Sequence, residues 1–225
     1  MVHTPRRIDA PEQLVRNRDK WTDRFIAGGG DWATRTAKRI LRQALHPLAH
    51  GKCVYCESAL EVTTELTIDH YIAKTVAAHL TFEWTNLLPA CRKCNGAKAE
   101  ADHAGAVLKP DSEDPEPFFW IHPDSGKLDA HPSLDVARSE RAIRTIELCN
   151  LQRPALCTHR ILTHDRVARW LDRLAVATGP DDRLNAEWNE FTDPRREYKF
   201  VLRHILRLRK LDVLERSDHE RFVSS

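Results

Sequence analysis

Two Cys-x-x-Cys pairs, Cys53/Cys56 and Cys91/Cys94, frame an Asp69-His70 dipeptide and Asn86, and the second pair runs directly into Asn95 and Lys98. Two kinds of chemistry are written there. Four thiolates in two knuckles suit a tetrahedral structural zinc. Thirty-four residues, 57 through 90, separate the knuckles, more than a zinc ribbon needs, so that gap has another task. The alternative, a pair of disulfides, fits poorly with a chain whose remaining features are those of a reducing compartment. The gap holds an imidazole, a carboxylate and an amide, and a second amide follows it at Asn95. A neutral imidazole can take a proton from water near pH 7. One carboxylate and one amide oxygen form a hard, sparse donor set suited to magnesium or manganese with retained waters. An ion so held could neutralise charge on a phosphodiester under attack.

The elements that must position these groups follow from the local pattern. The β-branched run over 63–68 reads as a strand, with Asp69 and His70 at its end. Neighbours on a strand point to opposite faces, so both reach one small ion only through a twist or bulge. Asn86 follows Phe82 and Trp84 and precedes Leu87-Leu88. A helix is expected to open at Asn95 and run through Glu100.

The order Cys-x-x-Cys, Asp-His, Asn, Cys-x-x-Cys-Asn-x-x-Lys resembles the HNH endonucleases, the ββα-metal family. The resemblance implies that His70 is the general base, that Asp69 and Asn95 bind the catalytic ion, and that Asn86 holds the His70 segment. It implies a structural zinc on Cys53, Cys56, Cys91 and Cys94, and a magnesium or manganese ion for catalysis. Asn95 stands where the family often has His. Ala73, in His70-Tyr71-Ile72-Ala73-Lys74, stands where the family often has Pro. Beyond the motif, Lys109-Pro110, Asp114-Pro115-Glu116, Phe118-Phe119-Trp120, Ser125-Gly126-Lys127-Leu128 and the stretch from Ala142 to Arg153 resemble the PtuB-like HNH nucleases of retron and Septu-type antiphage systems. That likeness covers roughly residues 50 to 165 and implies an ABC-type ATPase partner. Read this way, the protein hydrolyses DNA. A zinc-stabilised nucleic-acid-binding adaptor without hydrolysis, and a ribonuclease or tRNA nuclease using the same site, are the open alternatives.

Composition is compatible with this. The chain has 225 residues and a 41% hydrophobic fraction, enough for a real core. No apolar run is long enough to span a bilayer, and the first residues do not read as a cleavable leader, so the expected location is the cytoplasm. The net charge of +2 conceals an uneven distribution. Residues 1–52 hold eleven Lys/Arg against five Asp/Glu, residues 53–131 six against thirteen, and the remainder eighteen against fifteen. An acidic middle would attract cations, leaving the basic flanks to cradle a polyanion.

The expected class is α+β, mainly helical, around a central zinc-pinned ββα unit. Four segments are expected: helical 1–50, the nuclease unit 51–105, a Pro-rich connector 106–132, and helical 133–225. A first helix spans 11–27, Gly28-Gly29-Gly30 breaks it, and Asp31 caps a second that Pro47 ends. The connector carries a hairpin of 118–121 against 127–130. Three helices follow, near 133–149, 154–177 and 193–213. The last presents a basic stripe of Arg196, Lys199, Arg203, Arg207 and Lys210. Lys74, Lys98, Arg203 and Arg207 are the candidate nucleic-acid contacts, although a basic stripe is more often a solvated face.

Overall fold

The computed structural model describes residues 1–28, 31–98 and 106–209. Its order is α1 (Glu12–Ile26), α2 (Arg35–Leu45), β1 (Leu66–His70), β2 (Leu87–Cys91), α3 (Arg92–Lys98), β3 (Phe119–Ile121), β4 (Leu128–Ala130), α4 (Val136–Leu148), α5 (Pro154–Val176), α6 (Asp182–Thr192) and α7 (Lys199–Leu208). The fold is α+β and mainly helical. Buried apolar side chains from α1 through α7 form one contiguous core.

The ββα unit is β1, β2 and α3. β1 and β2 pair antiparallel, with Leu66 opposite Cys91, Asp69 opposite Leu88 and His70 opposite Leu87. The strand therefore sits three residues later than the β-branched run suggests. It begins at Leu66 and contains Asp69 and His70, and its pairing shows no bulge. β2 is buried throughout, which explains its run Leu87-Leu88-Pro89-Ala90-Cys91. α3 begins at Arg92, inside the second knuckle, three residues before Asn95. Its expected continuation to Glu100, the unit's expected end at 105, the break at Gly29-Gly30 and the later part of the last helix with Lys210 lie outside the described residues.

α2 covers this unit with one face. Ala37, Leu41 and Leu45 are buried on it, at helical spacing. Truncating fully buried Leu41 to Ala would cost about 2–5 kcal/mol. The helix is capped by Thr34, whose side chain accepts the Ala37 N–H, and not by Asp31. Asp31 instead pairs with Lys38. Pro47 sits in a one-turn helix, His46–Ala49, that follows α2 directly.

The connector's hairpin forms as β3 against β4. Gly126 in its turn has φ +63°, and a Cβ there would lie 2.1 Å from the Cys157 carbonyl oxygen. Any side chain would therefore push α5 off the turn. Among the described residues the C-terminal region has four helices and not three. α6 is capped by Asp181 and buries Leu184, Trp188 and Phe191, a spacing of four and three that the sequence does display. Among the described residues, no helix is long and apolar enough to cross a membrane.

Candidate active site

The four knuckle sulfurs lie within 4.8 Å of one another and are buried. Cys56 Sγ and Cys91 Sγ are 3.7 Å apart. Zinc–sulfur bonds of about 2.3 Å in a tetrahedron put sulfurs about 3.8 Å apart, so the cluster fits that ion. Hydrogen bonds from Cys53 and Cys94 bring Cys91 down to about 7 and hold Cys56 well below an ordinary thiol, while Cys53, chiefly through burial, and Cys94 lie well above it, so two of the four favour the thiolate a metal needs. Arg153 donates to Cys94 Sγ at 3.4 Å and Cys91 Sγ at 3.8 Å. It precedes α5, so the C-terminal helices are tied to the cluster by a cation facing thiolates.

His70 is fixed from several sides. Its Nε2 lies 2.9 Å from the Thr81 carbonyl oxygen. A carbonyl only accepts, so Nε2 carries the proton and Nδ1 keeps the lone pair. Trp32 meets the ring edge to face at 4.7 Å between centroids. Asn86 clamps the chain on both sides of this arrangement. Its Oδ1 accepts the Ile72 N–H at 2.8 Å, and its Nδ2 donates to the Ile72 and Leu80 carbonyls, each at 3.1 Å. One amide thus ties the residues after His70 to those before Thr81.

Burial, the positive charge of Lys74 and, more weakly, that of Lys98 pull the His70 imidazole down to about 3, against the opposing Thr81 hydrogen bond. It is neutral at physiological pH. An imidazole with the ordinary value would make the rate rise near pH 7; one held this low does not. We predict that cleavage shows no His70-dependent step from about pH 5 to about pH 8, checked by a pH–rate profile at saturating metal. The same shift has a stability consequence. Because the folded value lies below the ordinary 6.5, the contribution is complete above 6.5 and is lost as pH falls towards 3.

Asp69 and His70 occupy adjacent strand positions, and their side chains engage different partners. The Asp69 carboxylate accepts the Tyr55 hydroxyl at 2.6 Å on Oδ2 and the Lys98 ammonium at 3.2 Å on Oδ1. Lys98 also donates to the His70 carbonyl at 2.8 Å and is 1% exposed. This corrects the expectation that Lys98 meets nucleic acid, because its ammonium is spent inside the protein on the Asp69-His70 pair. Asn95 donates through Nδ2 to Thr67 Oγ1 at 3.0 Å and to the Ile68 carbonyl at 3.2 Å. Its Oδ1 is the atom left to act as a donor to a cation.

Asp69, His70 and Asn95 border one cleft of about 360 Å³, together with Trp32, Lys74 and Arg92. A carboxylate with lone pairs beyond those engaged, an amide oxygen and a neutral imidazole form a donor set that fits a hard divalent ion with most of its shell open. Arg203 and Arg207 do not border this cleft. Both engage the buried Glu116 carboxylate, tying α7 to the connector, so their stripe does not stand free. Lys199 is buried on the Phe191 and Thr192 carbonyls, and Arg196 pairs with Glu190. Local spacing singles out neither Trp32, Thr81, Tyr55 nor Arg92. Tyr55 lies between two knuckle cysteines, which is the one available signal.

The family model described as HNH endonuclease matches residues 53–100. The chain is also similar to the Septu protein PtuB of Bacillus thuringiensis, 33% identical over 104 residues. That stretch is 45% of this chain and 38% of the relative, so the chain matches well under half of the relative's length.

Proposed function

We propose that this protein is a metal-dependent endonuclease that hydrolyses DNA phosphodiester bonds in the cytoplasm, as the effector of an antiphage defence system. The observation that carries the reading is the His70–Thr81 hydrogen bond, which leaves a neutral imidazole with Nδ1 unprotonated on a residue that borders one cleft with Asp69 and Asn95. In this reading His70 takes a proton from water as it attacks phosphorus, and the Thr81 carbonyl stabilises the imidazolium that forms. Asp69 and Asn95 would hold a magnesium or manganese ion, which supplies charge neutralisation at the phosphorane and the departing oxygen. Tyr55 and Lys98 keep the Asp69 carboxylate in place. Lys74 and Arg92 border the cleft where a phosphate would lie.

Similarity to a Septu protein supports the defence role. The ABC-type ATPase partner that the sequence resemblance implies belongs to the same proposal. A nuclease kept harmless to its host would be restrained, so low activity alone and a stable complex with that ATPase belong to the proposal.

The test is supercoiled plasmid and total RNA incubated side by side with magnesium, with chelator, and with metal restored. Plasmid nicking that chelator abolishes and added metal restores is the expected result. Asp69→Ala should need far more metal or fail. Full cleavage by Asp69→Ala at ordinary metal would show the site misassigned, and cutting confined to RNA would overturn the DNA assignment.

A further inference from the structure

We propose that the exposed face of α2 and the adjoining cleft form one track along which a DNA duplex lies, with α2 gripping the backbone beside the scissile phosphate. This rests on the nuclease reading above.

A groove of about 750 Å³ runs along α2, lined by Arg35, Lys38, Arg39 and Arg42. It adjoins the His70 cleft through several shared neighbours. Lys38 of the groove lies 5.6 Å from the ring centre of Trp32, and Lys74 of the cleft 5.8 Å from the same ring. Leu66 borders the groove and Thr67, next along β1, borders the cleft. Arg42 of the groove and Arg92 of the cleft approach one carboxylate, Glu65, at 3.8 and 3.7 Å. Six cations therefore border the two adjoining clefts, four on α2, Lys74 after β1 and Arg92 on α3.

Most of them hold only part of their charge in place. Arg35 and Arg39 are exposed and have no ion-pair partner among the described residues. Arg42 and Arg92 share one distant anion, and Arg92's side chain is 80% exposed. This separates α2 from the α7 stripe, where Arg203 and Arg207 are committed to Glu116. Asp31 and Glu61 are the acidic residues on the groove, and Asp31 is paired with Lys38. A face of spaced, weakly paired guanidinium groups beside a hydrolytic cleft matches a regularly charged polyanion. α2 is also well placed to transmit position, because its opposite face packs Leu41 and Leu45 into the core under β1 and β2.

The experiment measures duplex DNA binding by fluorescence anisotropy across a salt series, with the full chain carrying His70→Ala so that the duplex stays intact. In that background, Arg35→Ala/Arg39→Ala should weaken binding roughly tenfold or more and flatten the slope of log K against log salt by about two, at ~0.9 for each phosphate no longer neutralised. Arg35→Lys/Arg39→Lys should keep the slope. Arg183→Ala on α6, an exposed arginine away from the groove, should match the parent. Zinc content and melting temperature, equal across the set, establish that the fold is intact. A parent that binds while the double alanine variant keeps its slope overturns the track and leaves the nuclease reading standing. A parent that binds no duplex overturns both.

Discussion

Cys91→Ser is expected to leave the chain largely insoluble or unfolded, without zinc, before any effect on chemistry can be read. The sulfur it removes ends β2, and Cys94 lies one turn on in α3. Their partners, Cys53 and Cys56, flank Tyr55, which holds the Asp69 carboxylate. One ion would thus join β2, α3 and the turn that steadies β1 at Asp69. A structural zinc contributes on the order of 10 kcal/mol, while whole domains are stable by about 5–15 kcal/mol. Removing a ligand from a site this buried therefore takes away most of the margin. Arg153 adds to the effect, since its guanidinium would face fewer thiolates at the start of α5. The same outcome is expected at Cys53, Cys56 and Cys94. Elemental analysis of the wild type should give one zinc per chain, and circular dichroism of any soluble variant should show a much lower melting temperature. Soluble, folded wild type without zinc, or a serine variant melting like the wild type, would contradict this account of the knuckles.

Features set by local spacing are legible in the sequence. The knuckle cysteines, the strand character of the Asp-His segment, the α1 and α2 helices and the hairpin over 118–130 all carry their signal within a few residues. What escapes a local reading depends on partners distant in sequence. Arg203 and Arg207 look like a free basic stripe because Glu116, which engages both, lies 87 and 91 residues away. Lys98 looks like a phosphate contact because nothing local says that its ammonium turns inward to Asp69, 29 residues before it. Trp32 gives no sign of being a neighbour of His70, because α2 has to fold over β1 before the two rings meet. Two differences are local. Thr34 competes with Asp31 as a cap and prevails, its hydroxyl lying three residues before the Ala37 N–H it accepts. The α6 pattern of Leu184, Trp188 and Phe191 follows a double aspartate, so that helix has both a start signal and an apolar face in a segment expected to lie between helices.

The central claim is that His70 does chemistry while its surroundings only hold it. Its ring contributes hydrogen bonding to one backbone carbonyl and an edge contact with Trp32. The ring is buried and the Thr81 carbonyl loses its partner, so removing it should cost about 1–3 kcal/mol of stability without unfolding the chain and, through the absence of general base catalysis, about 10²–10⁴ in rate. Asn86→Ala removes three hydrogen bonds that locate the chain around His70, so it should lower the rate by a smaller factor and also lower the melting temperature, since Asn86 is buried. The measurement that tests the claim most directly is nicking of supercoiled plasmid with magnesium by wild type and His70→Ala, run beside a binding assay on the same preparations. The account predicts that His70→Ala keeps its zinc, its fold and its affinity for DNA and loses cleavage. Nicking by His70→Ala at the wild-type rate would contradict it.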